Sequence, residues 1–148
     1  MTPNNASRRR TLCDMGAPLR IALIAHDAPK TDMLEWARWN RELLSRAKLY
    51  ATKHTGELVA ADTGLRIELL LSGPQGGDAQ ISAMITRREI DLVVFFWDPL
   101  ATQAHASDVS ALIRLAVLHD VGIACNRRSA DLMISSPLLR SGPVAVAS

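Results

Sequence analysis

Five short apolar runs punctuate the chain, and each gives way to a polar or glycine-bearing segment. They are RIALIA (20–25), KLYA (48–51), IELLL (67–71), DLVVFFW (91–97) and VGIAC (121–125). Their length and their bounding turn residues predict strands. Between them, apolar positions recur at helical spacing. Met33, Trp36, Ala37, Leu43, Leu44 and Ala47 predict a helix over about 31–47, with Thr31 as its N-cap. A short helix is expected over 57–62, stopped by Gly64 in a left-handed conformation. Ile81, Met84 and Ile85 mark one from Asp78 to Arg88. Val109, Leu112, Ile113, Ala116 and Val117 mark another that begins at Asp108, and Ser129 is expected to cap a last short helix.

Alternating strands and helices predict an α/β fold: a three-layer α/β/α sandwich on a five-stranded parallel sheet, flavodoxin-like in architecture. The nearly unbroken apolar run 91–97 fits a central strand covered on both faces. A length of 148 residues suits one domain, expected over 19–140, with a C-terminal tail at 141–148.

Charge changes this picture only at the start of the chain. The net charge is +2, yet residues 1–20 hold four arginines against one aspartate, so the remaining 128 positions sum to −1. Residues 1–18 are expected to form a disordered basic tail. With no basic stripe on the folded part, nucleic-acid binding is not expected. ASRRRTL (6–12) faintly resembles a twin-arginine export signal, but Asp14 and Arg20 interrupt the apolar segment it needs. No stretch approaches the roughly 20 apolar residues of a membrane span. Cys13 and Cys125 have neither metal-ligand spacing nor the look of a disulfide framework, which points to the cytoplasm.

The chemistry collects just past the strands, where the loops of a parallel sheet converge on ligands. His26, Asp27 and Lys30 follow the first run, and Thr52, His54 and Thr55 the second. SGPQGGD (72–78) follows the third; Asp98, His105 and Asp108 follow the fourth. The glycines of SGPQGGD serve either a tight turn or the close approach of backbone to an anion. Asp78 reads as a helix cap or as a general base, Lys30 as a solvated lysine or a phosphate ligand. His26 is either structural or a hydrogen-bond donor to substrate, while Thr55 and Asp108 are candidate caps. A histidine flanked by aspartates, as His105 is, can shuttle protons. No residue grouping has metal spacing, and neither the dinucleotide fingerprint nor the P-loop is present.

Five segments, IALIAHDxxK (21–30), LYATxxTG (49–56), LSGPQGGDAQI (71–81), IDLVVFFWDPL (90–100) and HxxDVxALIRLA (105–116), resemble the methylglyoxal synthase family in order and in register. The resemblance implies a cofactor-free, metal-free, homo-oligomeric lyase, usually hexameric. Such an enzyme converts dihydroxyacetone phosphate to methylglyoxal and inorganic phosphate, the latter also a candidate inhibitor. By the same resemblance Asp78 is the catalytic base and His105 moves protons between substrate oxygens. Asp27, Asp98 and Asp108 support them; Lys30, Thr52, Thr55, Ser72 and Gly73 hold the phosphate, and His26 binds substrate. The chain departs from the family at Lys53-His54, where a glycine and a threonine are usual, and none of its residues is assigned to the family's C-terminal arginine. The competing expectation is a non-catalytic module that binds a phosphorylated effector. Keeping both Asp78 and His105 argues against it, since binding alone needs donors rather than a base.

Overall fold

Arg20–Ala25 forms strand β1, and both of its faces are covered. Ile21, Leu23 and Ala25 enter one apolar cluster, Ala22 and Ile24 another, as the alternation of side chains along a strand requires. Strand β4 (Leu92–Phe96) divides the same way, with Leu92, Val94 and Phe96 on one side and Val93 and Phe95 on the other. Burial on both faces is why these two runs read as continuous apolar sequence. The computed structural model describes residues 17–100 and 106–141.

The remaining strands are β2 (Lys48–Ala51), β3 (Ile67–Leu69) and β5 (Gly122–Ala124). The sheet order is β3-β2-β1-β4-β5, every pair parallel. Helices α1 (Lys30–Trp39), α2 (Arg41–Ser45), α3 (Lys53–Thr63) and α6 (Arg127–Ile134) contribute to one cluster. Helices α4 (Gly77–Thr86) and α5 (Ala106–Leu118) contribute to the other. A three-layer α/β/α sandwich results. A short helix α7 (Pro137–Ser141) closes the described chain. No helix among the described residues is long and apolar enough to cross a membrane.

Several local expectations need correction. The helix over 31–47 is two helices, because Asn40 leaves helical geometry (φ −103°, ψ 18°) and its side-chain amide donates to the Trp36 carbonyl at 3.0 Å. Leu44 N–H still reaches Asn40 O at 2.9 Å, so apolar spacing continues across the break and hides it. Pro29, not Thr31, precedes α1. Helix α3 is longer than expected and starts after Thr52, which leaves Thr55 inside its first turns rather than at a cap. Gly76 (φ 105°) precedes α4, and α5 begins at Ala106, so neither Asp78 nor Asp108 is an N-cap residue. The cap of α6 is Asn126, whose side-chain oxygen accepts from Ser129 N–H at 2.8 Å. Gly64 does end α3 in the left-handed region (φ 74°). The expected tails fall largely on 1–16 and 142–148, outside the described residues.

Candidate active site

Adjacent parallel strands whose following loops leave in opposite directions open a crevice at their carboxyl ends. Here β1 and β4 are those neighbours: β1 leads on towards β2 on one side, β4 towards β5 on the other. A cavity of about 940 Å³ lies at this end of the sheet. His26, Asp27, Lys30, Thr52, Thr55, Gly73, Asp78 and Asp98 all line it. Eight of the eleven candidate residues thus meet around one space.

Three helices begin there. Lys30 opens α1, Thr52 precedes α3, and Asp78 stands in the first turn of α4. A loop carbonyl takes the first N–H of each helix, and the positive end of each dipole favours an anion. Lys30 adds a full charge. Its Nζ donates to Asp27 Oδ1 at 2.7 Å and to the Ala25 carbonyl at 3.2 Å, which fixes the ammonium at the end of β1. The hydrogen bond and charge of Lys30 hold the Asp27 carboxyl below its ordinary 3.8, and the nearby charges of His54 and His26 act in the same direction.

Thr55 is buried, and its hydroxyl is engaged by the backbone. Its Oγ1 accepts from Ala25 N–H at 3.1 Å and donates to Ala25 C=O at 3.3 Å, and Thr52 donates to it at 3.3 Å. The pair fastens the start of α3 to the end of β1.

His26 and Asp98 bridge the crevice. The Asp98 backbone N–H donates to His26 Nδ1 at 3.0 Å, while the ring meets Phe95 edge-on, centroids 5.4 Å apart. With Nδ1 accepting, the proton of a neutral His26 ring resides on Nε2. Asp98 Oδ1 in turn accepts from Leu100 N–H at 2.9 Å, which folds the start of the loop after β4.

The loop SGPQGGD turns through a 3₁₀ segment at Gly73–Gln75, closed by Gly77 N–H to Ser72 O at 2.8 Å. Gly77 is required by sterics: a Cβ there would fall on the Leu71 carbonyl and press on the Thr52 methyl group. Helix α4 can therefore start close against both β3 and the Thr52 loop, with Asp78 at the cavity edge.

Ser72 is buried beneath this loop and is not part of the cavity lining. His105 lies outside the described residues, as does the Asp108 side chain, although position 108 falls in the first turn of α5. His54 and Glu57 also line the cavity. His54 stood in the polar cluster after the second run, whereas Glu57 carried no signal beyond its helix start. No group of three or more His, Cys, Asp and Glu side chains among the described residues suits a metal ion.

Comparison with known proteins identifies the family. The MGS-like domain family matches residues 32–125. The chain is 53% identical over 118 residues to a methylglyoxal synthase of Leptospira interrogans, covering 80% of each sequence. It is 47% identical over 133 residues to that of Yersinia enterocolitica, covering 90% of this chain and 87% of the other. The crystal structure of methylglyoxal synthase from Elizabethkingia anophelis superposes with a TM-score of 0.80 at 42% identity, over 84% of this chain and 82% of that one. By sequence and by structure, the chain belongs to the methylglyoxal synthase family.

Proposed function

We propose that the chain is a methylglyoxal synthase, a lyase that turns dihydroxyacetone phosphate into methylglyoxal and inorganic phosphate. One observation carries the assignment of roles: the Asp78 carboxylate shares a cavity with the Lys30 ammonium and the starts of three helices. An anion held at the helix starts places the carbon chain of a small phosphorylated ketone towards Asp78. Lys30, Thr52 and Gly73 are assigned to the phosphate. Thr55 and Ser72 act behind them, Thr55 by holding α3 to β1 and Ser72 by closing the loop through its carbonyl.

Asp78 takes a proton from the hydroxymethyl carbon, and the electron pair forms an enediolate with charge on the former carbonyl oxygen. His26, fixed through Asp98, is assigned to that oxygen, where donors to developing charge lower the barrier. The hydroxymethyl oxygen then loses its proton and becomes the aldehyde carbonyl. As it does so, the double bond shifts and the carbon–oxygen bond to phosphate breaks. The resulting enol gains a proton at its methylene carbon and gives up its hydroxyl proton, which leaves a methyl ketone, while the released phosphate takes up a proton so that the sum balances. The proton transfer between oxygens is assigned to His105, with Asp27 and Asp108 in support, on the family resemblance. Bound Lys30 and helix dipoles stabilise the departing phosphate, which makes phosphate a natural competitor for the site. The chain is further proposed to work in the cytoplasm as a homo-oligomer, a hexamer by family resemblance.

The test follows methylglyoxal and free phosphate together from dihydroxyacetone phosphate, with Asp78→Asn beside the wild type. Equimolar release by the wild type, reduced by about a thousandfold or more in the variant, is the expected result for loss of a general base. Equal rates in both would remove Asp78 from the chemistry. A folded wild type that releases neither product, yet binds phosphate, would favour the effector-binding module.

A further inference from the structure

The backbone of Leu71 is held from both sides. Its N–H donates to Gln80 Oε1 at 2.7 Å. Its carbonyl accepts from Lys53 N–H at 3.4 Å and lies against the Cα of Gly77. Leu71 follows edge strand β3, whose ladder to β2 ends with Leu70 N–H on Ala51 O at 2.8 Å. Past that point the sheet offers Leu71 N–H no further partner, and the Gln80 side chain supplies one. One residue therefore ties together, through the peptide units on either side of its Cα, the start of α3, which carries Thr52, and the start of α4, which carries Asp78.

The geometry assigns to Gln80 the role of positioning residue for the Asp78 base, an inference that rests on the synthase reading above. Two residues along a helix turn through about 200°, so Gln80 and Asp78 leave α4 on nearly opposite sides. Asp78 accordingly borders the cavity and Gln80 does not. Gln80 cannot touch a ligand there; it acts through the loop. Without its acceptor, residues 72–76 and the first turn of α4 are free to shift against the Thr52 loop. The distance from base to phosphate subsite is what that shift alters.

Gln80→Met removes the acceptor oxygen while keeping length and helix propensity; Gln80→Glu restores an acceptor. We would measure kcat, KM and phosphate release for both, together with hydrogen exchange at the Leu71 amide by NMR. In the Met variant kcat should fall about tenfold with KM within about threefold, since a displaced base costs rate more than binding. The Leu71 amide should exchange faster in that variant. Gln80→Glu should return kcat to within about twofold of wild type and protect the amide again. Faster Leu71 exchange with unchanged kcat would overturn the assignment, as would a kcat loss that follows thermal stability and is not recovered by Glu. A wild type without synthase activity sinks the reading of function, and the latch itself is then judged by the Leu71 amide alone.

Discussion

Asp27 and Lys30 differ in their surroundings although they form one pair. The Asp27 side chain is fully exposed, whereas that of Lys30 is only 18% exposed. Exposed pairs of this kind contribute about 0–1 kcal/mol to stability, so the pair matters chiefly for where it holds the ammonium. Lys30→Met should raise KM for dihydroxyacetone phosphate by about tenfold or more, in keeping with a lost charged hydrogen bond. In the same variant the Asp27 titration, followed by carboxyl carbon NMR, should move up towards 3.8. An unmoved titration would mean that Lys30 does not hold Asp27 in solution. The sign for stability is set by the lowered carboxyl: the pair stabilises above the ordinary carboxylate range and loses that contribution as pH falls through the lowered value. Exposure keeps the effect small. Cys125 shows the opposite shift, because burial pushes its thiol above the ordinary 9.0 while a hydrogen bond with Trp97 pulls weakly back. The thiolate is the reactive form, so alkylation at pH 8 should be slow in the folded protein and accelerate in urea.

At the scale of elements, two glycines in the same corner of the fold should respond differently to alanine. At Gly77 the added carbon meets the Leu71 carbonyl, a backbone group that cannot yield without moving the start of α4. At Gly56 it meets chiefly the end of the Leu69 side chain, which is 46% exposed and free to swing outward. Gly77→Ala should therefore lower the urea-derived unfolding free energy by about 2–3 kcal/mol and Gly56→Ala by less than about 1 kcal/mol. Equal losses would contradict the steric argument. The strands were legible because burial on both faces leaves an apolar run that polar turns interrupt. The helix breaks were less so. Asn40 interrupts α1–α2 without disturbing the apolar spacing, and Asn126 rather than Ser129 caps α6, although both residue types cap well. The site was legible as strand-end clusters, since loop convergence follows from parallel topology. Gln80 was not, because its partner is a backbone N–H nine residues away whose lack of a sheet neighbour is set by the strand order.

At the scale of the molecule, that order places β1 beside β4 and so creates the crevice; which strands pair depends on contacts distant in sequence, and no local pattern reports it. The opposite end of the same two strands carries a different device. Arg20 binds Asp91 through its backbone N–H, Nε and a terminal nitrogen, at 2.9, 3.2 and 3.1 Å, and Asp91 N–H returns to Arg20 O at 2.8 Å. Asp91→Ala should lower unfolding free energy by about 1–2 kcal/mol, because the pair is only partly exposed and charge-assisted. It should leave kcat of the folded enzyme unchanged, and a parallel loss of kcat would show that the two ends of the sheet are coupled. The anchor joins β1 to β4 at one end and the His26–Asp98 bridge joins the loops after them at the other, separated by the length of two strands. Sequence drift under selection for turnover should thus be lopsided: replacements at the catalytic rim that cost stability but not rate can be offset by tightening the far rim, and a library randomised at 20 and 91 is the place to seek suppressors of destabilised site variants.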